Sequence, residues 1–170
     1  MKISSGSNHE HPEYLLEQLF PRDFLPQTGR DIQSLYRVLS PDKPNVDLNG
    51  IGRALPNVIA WIARERTTDK VVAMATLIIC PPSLRQNRIG TIEDVVTLKE
   101  HREHGIMRSL LENIIRRARS ESLLFLQLTS RPDPDRDAAR KLYESLGFIC
   151  IAEAVPGVKG QTNVYQLSFR

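Results

Sequence analysis

Between Ile92 and Arg108 the chain reads IEDVVTLKEHREHGIMR, an apolar run followed by a basic turn with one glycine at the start of a helical pattern. That arrangement suits an anion such as a diphosphate. The first backbone N–H groups of a helix have no partner within it and stand at the positive end of its dipole. Gly105 lets the backbone come close, while Arg102 and Arg108 add positive charge and Glu103 subtracts from it. His104, Ile106 and Met107 complete the run from Arg102 to Arg108. Taken alone, the same pattern occurs in many sheet-to-helix connections that bind nothing. It is not a P-loop, because no G-x-x-x-x-G-K-S/T run is present, and it lacks the second and third glycines of a dinucleotide fingerprint.

The turn must be held between a strand and a helix. Apolar and β-branched residues dominate Thr91 to Leu98, which predicts a buried strand, and Leu110, Leu111, Ile114 and Ile115 recur at helical spacing after Gly105. An apolar strand from Leu123 to Leu128 follows, then a helical stretch from Arg136 to Phe148. Upstream, Pro12 to Phe20 reads as a helix carrying Tyr14, Leu15, Leu19 and Phe20. Pro21 and Pro26 break it, and a second helix runs from Asp31 to Leu39. The proline, glycine and asparagine content of Pro41 to Pro56 predicts a loop. It is a candidate cover for a substrate and equally an ordinary surface connection. Asn57 to Glu65 and Lys70 to Cys80 form a hairpin across Arg66-Thr67-Thr68-Asp69, and Pro81 to Gly90 is a polar loop. Ile149 to Ala154 and Asn163 to Phe169 supply the last strands. The sum is a mixed sheet with helices on both faces, an α/β or α+β arrangement.

The chain has 170 residues, of which 41% are apolar, enough for one ordinary domain spanning 1–170. Residues 1–11 read as a polar tail, with a short strand available at Lys2 to Ser4. No apolar run reaches membrane-spanning length and no export signal is visible, so a soluble cytoplasmic protein is expected. Cys80 and Cys150 are too few for a disulfide framework and read as buried free thiols. A net charge of +3, without a basic run interleaved with aromatics, favours a polyanionic small molecule over nucleic acid. Arg116, Arg117 and Arg119 complement the C-terminal end of their helix. His101 and His104 lack a cluster of partners at metal-ligand spacing, so they are read as turn histidines and no metal is expected.

Arg102, Gly105 and Met107 fall in an R-x-x-G-x-G/A register, and Ala139, Leu142, Tyr143, Gly147 and Phe148 fall in an A-x-x-L-Y-x-x-x-G-F register. These two motifs, in this order, resemble those of the GNAT-type N-acetyltransferase superfamily, and the resemblance covers residues 58 to 170. It implies a mostly antiparallel central sheet flanked by helices. The implied activity is direct attack of a primary amine, from a small molecule or peptide, on acetyl-CoA in a ternary complex. It further implies that Arg102 through Arg108 hold the diphosphate and that Val95, Val96 and Thr97 offer main-chain groups to the pantetheine arm. A backbone N–H around Val96 is the implied donor to the thioester oxygen. By the same resemblance Tyr143 is the acid that protonates the departing thiolate, unless it is only a packed tyrosine. Glu93 or Asp94 would take the amine's proton, although strand-end carboxylates are more often paired with a neighbour. Only one of the two can face the cleft on a regular strand.

Two positions depart from the motif: Glu103 stands where glycine is common, and Met107 where glycine or alanine is usual. They motivate the alternative of a non-catalytic acyl-CoA-binding domain. Ser130, Arg131 and Arg136 are candidates for the acceptor or the cofactor's distal end, and the last strands are the candidate surface for a homodimer.

Overall fold

The computed structural model describes residues 11–20, 24–41, 58–80, 88–157 and 160–169. Seven strands, β1 (Tyr14–Leu19), β2 (Val58–Glu65), β3 (Val71–Ile79), β4 (Gly90–Thr97), β5 (Phe125–Ser130), β6 (Ile149–Gly157) and β7 (Gly160–Ser168), form one sheet in the order β1-β2-β3-β4-β5-β7-β6. Among the described residues three α-helices accompany them: α1 (Pro26–Leu39), α2 (Ile106–Ser120) and α3 (Asp137–Ser145). The expected hairpin turns at Arg66 to Asp69, and every neighbouring pair is antiparallel except β4 with β5. The polar loops expected at Pro41 to Pro56 and Pro81 to Gly90, and the strand at Lys2 to Ser4, lie largely or wholly outside the described residues.

The middle of the sheet carries the core. Val71 through Leu77 of β3 are all buried, and because alternate residues face opposite sides, both faces there are covered. Helices α1 and α2 pack on this strand. The apolar stripe of α2, Ile106, Leu110, Leu111, Ile114 and Ile115, is buried as its spacing predicts. Among the described residues no helix is long and apolar enough to cross a membrane.

Several boundaries differ from the sequence reading, each for a physical reason. Tyr14–Leu19 is a strand rather than part of a helix, because its backbone pairs with β2 along six residues from Tyr14↔Glu65 to Leu19↔Ala60. Leu, Glu and Gln favour a helix intrinsically, but the ladder on the open edge of β2 outweighs that preference. Pro26 opens α1 instead of breaking a helix, since a proline at the first position has no N–H to lose. Strand β5 begins at Phe125 because Leu123 N–H still closes the end of α2 on the Ala118 carbonyl. Helix α3 stops at Ser145, where the N–H groups of Gly147 and Phe148 fold back onto Glu144 and Tyr143.

Arg64 ties the first elements together. Its guanidinium donates to Glu17 Oε1 at 2.6 Å, Thr28 Oγ1 at 2.9 Å and the Asp69 carbonyl at 3.1 Å, joining β1, α1 and the hairpin. The buried Asp31 does similar work from α1, accepting the Val71 N–H at 3.1 Å.

Candidate active site

Strands β4 and β5 are parallel neighbours for only two residue pairs, Gly90↔Leu126 and Thr91↔Gln127. Side-chain space is tight at that junction: a Cβ on Gly90 would come within 3 Å of Leu126, Leu77 and Leu123. Beyond it the strands part. Strand β5 goes on to pair with β7 through Ser130, and β4 goes on to pair with β3 through Thr97, so their facing edges separate. Leu98 N–H donates to the Val72 carbonyl of β3 at 2.9 Å. By strand alternation Val96, opposite Met74, turns its main-chain groups to β3 as well, while those of Val95 and Thr97 face the gap.

A bulge interrupts β4 just before this edge. Between the pairs Thr76↔Glu93 and Met74↔Val96, one residue of β3 opposes two of β4, Asp94 and Val95. Asp94 has φ +53°, an uncommon conformation for a residue other than glycine, and the bulge frees its side chain from the ladder's regular alternation. Thr76 Oγ1 donates to Asp94 Oδ2 at 3.1 Å, and the Tyr36 hydroxyl from α1 donates to the same carboxylate. Burial pushes the Asp94 carboxyl above its ordinary range, and these two hydroxyls partly restore its acidity. Glu93 is exposed, yet the atoms crowded around its carboxyl and the adjacent Asp94 also raise it.

The basic turn closes one end of a cleft of about 580 Å³. Its walls come from the end of α1 (Val38, Leu39), from Val95–Thr97, from the turn and start of α2, and from α3. At the turn, Glu103 (φ +67°) and Gly105 (φ +75°) are both left-handed, and a Cβ on Gly105 would meet nothing within 4 Å. The first bond of α2 runs from Ser109 N–H to the Gly105 carbonyl, which leaves the N–H groups of Ile106, Met107 and Arg108 without helical partners. Gly105, the N-cap residue, has no side chain with which to cap them. Arg102 and Arg108 line the cleft but are also engaged: Arg102 Nε donates to the Thr97 carbonyl at 3.3 Å, and Arg108 Nη2 to Ser145 Oγ at 2.8 Å. Met107 lines the cleft too, half-buried, so its bulk is accommodated.

The expected residues fall into three groups. Val95, Val96, Thr97, Arg102, Glu103, Gly105, Ile106, Met107 and Arg108 share the one cleft. His104 does not line it: its ring donates to the Arg102 carbonyl at 2.8 Å and its own carbonyl accepts from His11 Nε2 at 2.7 Å, so it braces the turn from behind. Glu93, Asp94 and Tyr143 stand beside the cleft rather than among its lining residues. Tyr143 is 5% exposed and packs against the rings of Tyr165 (6.0 Å) and Phe148 (6.3 Å), one turn from the lining residue Ala139. That burial pushes its hydroxyl up to about 12.

Sequence reasoning did not single out Tyr36, and it read His101 only as a turn histidine. Tyr36 lies 58 residues from Asp94 (94 minus 36) and nothing local marks the meeting. His101 lines the cleft and shares a hydrogen bond of 3.0 Å with the buried Tyr14 hydroxyl. Ser130 is buried, Arg131 pairs with Asp133 at 3.1 Å, and Arg136 reaches the cleft wall. Among the described residues no three metal-ligating side chains come together.

A strand edge opens here beside the start of α2, with a left-handed glycine between, an arrangement whose main-chain groups suit an extended amide chain and an anion. The chain matches the acetyltransferase (GNAT) family over residues 25–148, and it belongs to that family. It is an acetyl-CoA-dependent acyltransferase. An acetyltransferase-family structure from Agrobacterium tumefaciens is 31% identical, with 79% of this chain and 92% of that one covered and a TM-score of 0.63. A GNAT-family structure from Desulfovibrio desulfuricans shares the fold at 15% identity, covering 91% and 98%, with a TM-score of 0.74. So does Arabidopsis thaliana NAA60 in complex with acetyl-CoA, at 11% identity, 92% and 98% coverage and a TM-score of 0.72. No curated protein sequence matches the chain.

Proposed function

We propose that the protein transfers the acetyl group of acetyl-CoA directly to a primary amine of a small molecule or peptide, with both substrates bound together. The observation that carries this reading is the coincidence of a free β4 edge and the uncapped start of α2 on one cleft. Main-chain groups of Val95 and the N–H of Thr97, whose carbonyl is taken by Arg102, fit an amide chain, and the N–H groups of Ile106, Met107 and Arg108 fit a diphosphate. Acetyl-CoA brings an acetyl thioester to that edge. A main-chain N–H beside the bulge, at Val95 or Thr97, polarises its carbonyl oxygen.

Proton movements fall to the residues behind the cleft. Asp94, or Glu93 beside it, takes the amine's proton, directly or through water; their raised carboxyls are better bases than ordinary ones. Tyr143 keeps its proton throughout the neutral range and supplies it to the departing thiolate. The unpaired thiols of Cys80 and Cys150 support a reducing, cytoplasmic setting. Exposed Ile149 and Ile151 on the outer strand β6 support a homodimer, which sedimentation of the full chain checks.

Calorimetric titration with acetyl-CoA and with CoA, followed by thiol release across a panel of amines, peptides and phosphosugars, tests the proposal. Micromolar binding with thiol release on one amine class is the expected result. Binding without release on any amine would favour a non-catalytic acyl-CoA-binding domain, and no binding by the folded protein would overturn the cofactor assignment.

A further inference from the structure

We infer that Tyr36, with Thr76, is a positioning residue for the proton-accepting carboxylate of Asp94, fixing it at the bulge where β4 leaves β5. This rests on the reading of Asp94 as the base in amine acetylation. Three elements converge on that one side chain. Strand β4 supplies the bulge and the left-handed φ of +53°. From β3, the buried Thr76 donates its hydroxyl at 3.1 Å. From α1, two residues before the cleft-lining Val38, Tyr36 donates the second hydroxyl. A non-glycine residue stays in that backbone region only where its surroundings hold it, and here two hydroxyls do so.

The chemistry of the clamp matters as much as its geometry. A lysine or arginine beside Asp94 would neutralise it and make it a poor base. Two hydroxyls orient the carboxylate and leave its negative charge in place. Among the described residues Asp94 has no cationic partner, and the other titratable group facing it is Tyr36 itself, which burial, and after it the neighbouring carboxylates, keeps protonated. Glu93, adjacent on β4, adds negative charge to the same region. The clamp therefore sets the pKa of Asp94: burial raises it, and each hydroxyl lowers it again.

Removing one hydroxyl should move Asp94 upward by about one pH unit, the size expected for a lost hydrogen bond to a charged group. The direct test is an NMR titration of the Asp94 side-chain carboxyl in the full chain saturated with acetyl-CoA, comparing Tyr36→Phe and Thr76→Val with the parent. Both variants should titrate about one unit higher. The acidic limb of kcat/KM, with whichever amine the thiol-release panel identifies, should move the same way while acetyl-CoA affinity is unchanged. Thr76→Ser, which keeps the hydroxyl, should restore the parent midpoint. Should Tyr36→Phe unfold, Thr76→Val carries the comparison alone. An unmoved NMR midpoint in both folded variants overturns the clamp. Asp94→Asn separates the two readings: if it keeps the acidic limb, the base assignment fails. If it loses that limb while Tyr36→Phe leaves it in place, only the role given to Tyr36 fails.

Discussion

Replacing Glu103 by glycine is expected to tighten acetyl-CoA binding and to stabilise the fold, and the two gains can be separated. Glu103 is exposed on the cleft wall with φ +67°. A left-handed conformation costs a side chain other than glycine about 1 to 2 kcal/mol. Glycine's greater freedom in the unfolded chain returns about 0.5 to 1 kcal/mol of that. The net gain of about 0.5 to 1 kcal/mol should raise Tm by about 1 to 4 °C in a domain of this size. The electrostatic gain is independent of the backbone. Two unit charges about 6 Å apart in water repel by about 0.7 kcal/mol, and physiological salt roughly halves this. Against the roughly two charges of a diphosphate, removing the carboxylate is worth about 0.6 to 1 kcal/mol, or about three- to fivefold in Kd. Glu103→Gln should show the affinity gain without the Tm gain, and Glu103→Gly should show both. Calorimetric titration at low and high salt, with thermal denaturation of the unliganded proteins, measures each contribution. If Glu103→Gln binds acetyl-CoA no better than the parent at low salt, the diphosphate does not lie at this turn and the charge reasoning is wrong.

Gly105→Ala should cost about 1 kcal/mol of stability through φ alone, since its Cβ meets nothing, but weaken acetyl-CoA about tenfold or more by filling the cradle. Equal affinities in a titration would place the diphosphate elsewhere. Tyr143→Phe should lower turnover with little change in acetyl-CoA affinity, as steady-state kinetics and calorimetry would show; unchanged turnover would discard its role as acid. Because Tyr143 is held at about 12 in the fold against 10.0 unfolded, the native state binds the extra proton between those values. Stability is complete below pH 10 and falls by about 1.4 kcal/mol per pH unit as pH rises toward 12, and Tyr143→Phe should flatten that slope in denaturant titrations. Arg64→Ala removes three hydrogen bonds that join β1, α1 and the hairpin, and should cost about 2 kcal/mol, or about 4 to 8 °C in Tm. A change below 1 °C by calorimetry would show those contacts to be replaceable.

Local chemistry alone determined most of the cradle and of the elements around it. The β-branched run before Lys99, Gly105 and the apolar spacing of α2 are each visible within a few residues, because strand, turn and helix propensities act over that range. Both motifs could therefore be read directly, and with them the family. What pairs with what was not legible. Tyr14–Leu19 carries good helix formers and becomes a strand only because β2 offers it an edge, a fact held 41 to 51 residues away in the chain (60 minus 19, 65 minus 14). The bulge at Asp94 exists only in the pairing of β4 with β3, so the sequence presents Glu93 and Asp94 as equals. The fold distinguishes them, clamping Asp94 from α1 and β3 while leaving Glu93 exposed. Likewise His104, two residues from Arg102 in the motif, turns away from the cleft because its ring and carbonyl are taken by Arg102 and His11. Side-chain types and short spacings determined which chemistry the chain can hold; the direction and partners of each group were decided by tertiary contacts, since hydrogen bonds and burial depend on distances that local sequence does not carry.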